Sequence, residues 1–255
     1  MTTELDFREC VEALDEVAAA FQTARKDLNA PSRYEADFAA FKLMEVVFRY
    51  VNAVSGIAML PEPGSHLAPA WALLRSAFEI GLTAFWLTRE DDWKEREARW
   101  LGWVVAEEDF QRKLGGDLRS ANLEAADRFL DYAARLEQRR LAITRKLPMD
   151  SRERRPSIPQ MLDECGVDRK YYIAYRIGSQ FTHGGPSVCD SVFESGEGFI
   201  RLKTARYSEW MHPLMLGSWS VAQPGVSTLS RAGASPESLE RIYAAHEHLR
   251  DLTLQ

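Results

Sequence analysis

The stretch from Leu67 to Leu87 reads LAPAWALLRSAFEIGLTAFWL, and Arg75 and Glu79 are its only charges. A helix this apolar belongs in a lipid bilayer or in the centre of a protein. Two charges at its midpoint would be costly in hydrocarbon, so the segment predicts a buried core helix around which the rest of the chain must pack. The two charges stand four residues apart, hence on one helix face. Arginine N-terminal to glutamate is the less favourable order for an isolated pair, so the pair is expected to serve a tertiary purpose, buried and within hydrogen-bond reach of another helix.

Proline and glycine divide the remainder. A helix over 4–29 ends before Ala30-Pro31, and Ser32 caps a second that runs to about Leu60 and closes at Pro61-Glu62-Pro63-Gly64. The core helix starts near Ser65 or His66 and ends near Thr88. Asp91 and Asp92 begin a tryptophan-rich helix that is expected to stop at Gly115-Gly116, and a fifth covers roughly 122–146. After a charged, Pro-bounded connection over 147–159 come a short helix to Cys165 and a helix capped by Asp168. The latter holds Tyr171 to His183 and stops at Gly184-Gly185-Pro186. Alternation around Phe199–Lys203 predicts a β-hairpin within 192–206. A helix from Ser208 is expected to break at Pro224-Gly225, and the last runs from Ser235-Pro236 to Leu252. The fold class is therefore all-α: a multi-helix antiparallel bundle with at most a small hairpin. The whole of 1–255 reads as a single helical domain, with helix 4–29 as a candidate peripheral element.

Composition supports this and narrows function. Apolar residues make up 45% of the chain, with seven tryptophans, enough for a core and against disorder. The formal charge is −6, so no global basic field draws the chain to nucleic acid or to anionic membrane. Cys10, Cys165 and Cys189 show no metal-ligand spacing and read as reduced thiols of a cytoplasmic protein. The N-terminal MTTELDFREC lacks the apolar region of a signal peptide. Glu209 and His212 match half of a di-iron motif without a second copy, and His246 and His248 point to different faces of a helix. No metal or cofactor is expected. There is no P-loop, dinucleotide fingerprint or nucleophile elbow. The tryptophans read as core rather than as a stacking platform. One local feature runs against the overall charge. Arg135, Arg139, Arg140, Arg145, Lys146, Arg152, Arg154 and Arg155 outnumber the acids among them, forming either a solvated helix end and loop or a phosphate-binding surface.

The helix DRKYYIAYRIGSQFTH places Tyr172, Arg176, Ser179, Gln180 and His183 on one face. Arg176 and His183 differ by only ~20° around the axis and stand ~10.5 Å apart along it, a gap that a phosphate or a second subunit would bridge. His183 lies in the last turn, where the helix dipole favours the imidazolium. This Arg-x6-His spacing resembles the HEPN superfamily, helical bundles whose ribonuclease members use Arg-x(4–6)-His. Arg206–His212, Arg241–His246 and Arg241–His248 fall near the same spacing, and context singles out Arg176–His183: the polar face and the Gly-Gly-Pro stop. The chain departs from the pattern directly after Arg176, where Ile177 replaces a polar residue. A closer resemblance is to an uncharacterised bacterial all-helical family, carried by Leu73-Leu74-Arg75-Ser76-Ala77-Phe78-Glu79 and by Tyr172 with Ser179-Gln180-Phe181-Thr182-His183-Gly184.

The HEPN resemblance implies a metal-independent ribonuclease or nucleotide-processing protein, of the kind found in toxin or defence systems, often with a site formed across a homodimer. In that reading Arg176 and His183 are catalytic, while Tyr172, Ser179, Gln180, Arg75 and Glu79 bind or orient. RNA or a nucleotide is then the partner, with no membrane involved, and His246→Ala is expected to be a silent control. Two alternatives stand beside it. One is a non-catalytic interaction or ligand-sensing subunit with a cognate partner protein. The other is an iron-dependent helical-bundle oxidase.

Overall fold

Leu67–Thr88 does form the central helix. The computed structural model describes residues 4–26, 28–30, 33–61, 66–121, 123–145, 155–183, 193–196, 199–202 and 206–253, with backbone alone for Leu5, for 182–183 and for the two strands. In chain order the helices begin with α1 Glu4–Lys26, α2 Glu35–Ala58, α3 Leu67–Thr88, α4 Trp93–Ser120 and α5 Ala126–Thr144. Next come α6 Ile158–Cys165 and α7 Arg169–His183. The strands β1 Phe193–Gly196 and β2 Phe199–Leu202 pair antiparallel, with Phe193 opposite Leu202. A 3₁₀ turn at Tyr207–Trp210 leads into α8 Met211–Arg231, and α9 Pro236–Thr253 follows. The protein is an all-α bundle. α3 packs against α2, α8, α7, α6 and α4, while α4 and α5 form their own pair.

The core is assembled from nearly every helix. Leu74, Phe78 and Leu82 of α3 are fully buried, as are Trp86, Trp100 and Trp210. Removing aromatic side chains of this size from water is a dominant source of stability. α1 belongs to this core rather than to the periphery. Its Phe7, Val11, Leu14, Val17 and Phe21 are buried, and it packs on α8, α9 and α2.

Two stop signals prove to be packing signals. α4 runs through Gly115-Gly116 to Ser120, because Gly115 is where α5 comes close: a Cβ there would stand 2.7 Å from Leu130 Cγ. α8 likewise runs through Pro224-Gly225 without a break. A proline inside a helix deprives the carbonyl four residues earlier of its donor. Here that carbonyl is Ser220 O, and it faces α3 at Gly81, where a Cβ would approach to 2.9 Å.

Two helix starts are capped as expected. The Asp92 side chain accepts from Lys94 N and the Asp168 side chain from Lys170 N, each at 2.9 Å. Ser32, expected to cap α2, lies outside the described residues. α2 begins after Tyr34 with no cap from its own side chains, and Glu97 of α4 accepts the Ala36 N–H at 2.9 Å instead. Burial pushes the Glu97 carboxyl upward, and the bond to Ala36 opposes that.

The C-terminal end of α3 and the turn after it are held by three arginines from elsewhere in the chain. Arg99 donates to Trp86 O at 2.6 Å and Arg231 to Thr88 O at 3.1 Å. Arg96 donates to the carbonyls of Glu90 and Asp91, at 2.9 and 2.8 Å. Arg96 also forms a buried two-pronged pair with Asp37 of α2, at 2.8 and 3.1 Å. Cations suit this end, where helix carbonyls lack donors and the macrodipole is negative. Replacing Asp37 by Ala would leave the Arg96 guanidinium buried and uncompensated, so the unfolding free energy in urea is expected to fall by about 3–5 kcal/mol. A loss below about 1 kcal/mol would show that solvent reaches the pair.

Candidate functional site

The site expected from the sequence lies where α7 crosses the middle of α3. α7 presents Tyr171, Ala174 and Gly178 inward. At Gly178 a Cβ would meet the Trp71 ring at 3.0 Å and Arg75 Cβ at 3.4 Å, so glycine lets the helices approach this closely without displacing the ring. One turn on, Phe181 stacks on Trp71 with ring centroids 6.1 Å apart.

This close approach brings four polar side chains together. Arg75 Nε donates to Ser179 Oγ at 2.9 Å, and Arg75 Nη2 pairs with Glu79 Oε1 at 2.8 Å. The Tyr175 hydroxyl donates to the same Glu79 oxygen at 2.8 Å. The Arg75 guanidinium lies 5.4 Å from the centre of the Tyr175 ring. The two rungs keep one antiparallel register, since four residues along α3 from Arg75 to Glu79 match four residues back along α7 from Ser179 to Tyr175. Burial, and then the bond to Glu79, raise the Tyr175 hydroxyl above its ordinary range, so it stays protonated as a donor. The pair does reach a second helix, as its unfavourable order implied. Its burial is only partial, however, with side chains 17% and 31% exposed.

The predicted polar face of α7 is divided by this geometry. Ser179 turns inward to Arg75, and Tyr172 stacks on Tyr175 at 6.0 Å. Arg176 and Gln180 are exposed. α7 ends at His183, whose side chain is outside the described residues. Tyr175 belongs to the cluster and was not among the expected site residues. The signal was present, because Tyr175 precedes Ser179 by the same interval that separates Arg75 from Glu79.

The rest of the molecule offers contrasts. Within the basic segment, Arg139 pairs with Glu35, and Arg140 with Glu108 at 3.0 Å. These cations are therefore matched, which weakens the phosphate-surface reading there. Burial raises the thiols of Cys10 and Cys165 to about 11, well away from nucleophilic thiolates. Among the described residues, no three His, Cys, Asp or Glu side chains gather as a metal site, and no helix is long and apolar enough to cross a membrane. Ser218 Oγ and His246 Nδ1 lie 2.7 Å apart, but both are buried where α8 meets α9. The pair is a hydrogen bond of the core, so His246→Ala is no silent control. His212, which is exposed, takes that role.

Two measurements follow. Glu79→Ala is expected to cost about 1–2 kcal/mol, less than for a fully buried pair because solvent and Ser179 still serve Arg75; a denaturant midpoint equal to wild type would mean the cluster is fully screened. For His246, burial lowers the imidazole from 6.5 to about 4. A base with a depressed folded value binds fewer protons folded than unfolded between those limits. Its contribution is therefore complete above about pH 6.5 and declines as pH falls toward 4, by roughly 3 kcal/mol at most. His246→Gln should flatten that part of the stability–pH profile, and an unchanged slope would exclude His246 as its source.

No curated protein and no solved structure matches the chain. Family comparison does give a match, over residues 43–200, a span that contains both α3 and α7. On that match, which covers more than half of its length, the chain belongs to a family of unknown function, DUF5677.

Proposed function

We propose that this protein is a HEPN-like, metal-independent ribonuclease or nucleotide-processing enzyme whose reacting pair is Arg176 and His183. The observation that supports it is the clamp of Arg75 and Glu79 on Ser179 and Tyr175. The clamp fixes the rotation of α7 about its axis while Arg176 remains exposed on the same helix that ends at His183. Preorganisation of this kind is what transition-state stabilisation requires. In the proposed reaction His183 takes the proton of the attacking 2′-hydroxyl or delivers one to the leaving oxygen. Arg176 stabilises the negative charge that develops on the phosphorane. Tyr172 and Gln180 flank the phosphate. Ser179, Arg75 and Glu79 act through α7 as positioning residues. The ~10.5 Å between Arg176 and His183 along the helix favours a site completed by a second copy of the chain.

A second reading draws on different residues. Ile173 and Ile177 are 60% and 38% exposed and border Arg176 on α7. Exposed apolar residues around an arginine also suit a protein-binding face, as in an interaction or sensing subunit.

Arg176→Ala and His183→Ala are each expected to abolish RNA cleavage, or toxicity on expression, with an unchanged circular dichroism spectrum. His212→Ala should retain activity, and EDTA should not inhibit. A wild-type protein inactive on RNA and nucleotides at low and moderate salt would overturn the catalytic reading. Loss of self-association or partner binding in Ile173→Asp, measured by light scattering, would then establish the second.

A further inference from the structure

About 20 Å along α3 from Arg75, beyond the clamp, the structure holds a polar cavity of about 590 Å³. Its wall is built by Trp86 and Arg89 at the end of α3, Glu90, Arg99 of α4, Arg155, and Gln160 and Glu164 of α6. Three guanidinium groups thus face two carboxylates. Both carboxylates already have donors. Glu164 accepts from the Trp86 indole N–H at 2.7 Å, and Glu90 accepts from Arg99 at 2.6 Å. Arg99 is further committed to the Trp86 carbonyl. The other two arginines are held weakly. Arg89 Nε approaches Glu90 only to 3.5 Å and its side chain otherwise donates to the neutral Cys165 thiol, while Arg155 donates to the neutral Thr83 hydroxyl at 3.2 Å.

We propose that this cavity binds a small organic oxyanion, a molecule carrying a carboxylate or phosphate group gripped by Arg89 and Arg155. The wall carries one positive charge in excess, which disfavours a cation. Guanidinium groups present paired donors matched to the two oxygens of a carboxylate or phosphate. The volume lies in the range of small-molecule sites and exceeds what a bare ion fills, so the oxyanion is one end of a larger polar molecule. Buried Trp86 anchors one side of the wall, since its indole N–H holds the exposed Glu164 and the Arg99 guanidinium lies 5.4 Å from the centre of its ring. The site is separate from the α7 face, and its existence does not depend on catalysis there.

Titration calorimetry at constant ionic strength, with adenosine monophosphate, citrate and inorganic phosphate as probes, tests the assignment. At least one organic probe is expected to bind more tightly than inorganic phosphate. The double variant Arg89→Gln/Arg155→Gln, with its fold checked by circular dichroism, should weaken that binding at least tenfold, while His212→Ala leaves it unchanged. Neither substitution removes the Arg99 contacts that close the end of α3. Should the double variant fail to fold, Arg155→Gln alone decides. Absence of binding by both organic probes, tighter binding of inorganic phosphate than of either, or equal affinity in the folded variant would overturn the proposal.

Discussion

The C-terminal end of α3 is the joint on which this bundle depends. An apolar helix at the centre of a protein must end somewhere, and its last carbonyls then face neighbours rather than water. Here Arg99 reaches them from α4 and Arg231 from α8, while Arg96 of α4 holds the carbonyls of the turn that follows. Arg96 extends the tie to α2 through Asp37. The need for donors at a buried helix end and in the turn after it thereby fixes the mutual placement of four helices. The same need explains why so many arginines lie near the cavity beside α6.

Much of the architecture was legible because it rests on local rules. The apolar run of α3, the Asp92 and Asp168 caps and the alternation at the hairpin each announce an element within a few residues. The errors share one cause. Gly115, Pro224 and Gly225 were read as chain punctuation, whereas in the folded protein they answer to partners distant in sequence. Leu130 and Phe21 fill the space that a side chain would occupy at Gly115 and Gly225. No local rule distinguishes a glycine that ends a helix from one that admits a neighbour. The donor at α2's first turn was likewise invisible, since Glu97 arrives from two helices further on.

The candidate site shows the same division. The order of Arg75 and Glu79 correctly implied a partner on another helix. Which residues would receive them depended on helix rotation, and that is set by Gly178 against Trp71. A rotation of some 60° separates Ser179 from Arg176 on α7. The polar stripe drawn from periodicity was wide enough to contain both an inward and an outward set. Tyr175 fell outside it although it carries the second rung.

The packing of α8 on α3 bears on where this chain can be cut. The matched span ends at residue 200, before α8 begins at Met211, and yet Leu74 and Gly81 of α3 lie against Gly217 and Ser220 of α8. In this chain the matched span therefore carries an oily flank that it does not itself cover. The lid for that flank comes from α8, so a piece of this chain cut at the edges of the matched span would expose Leu74 and its neighbours to water.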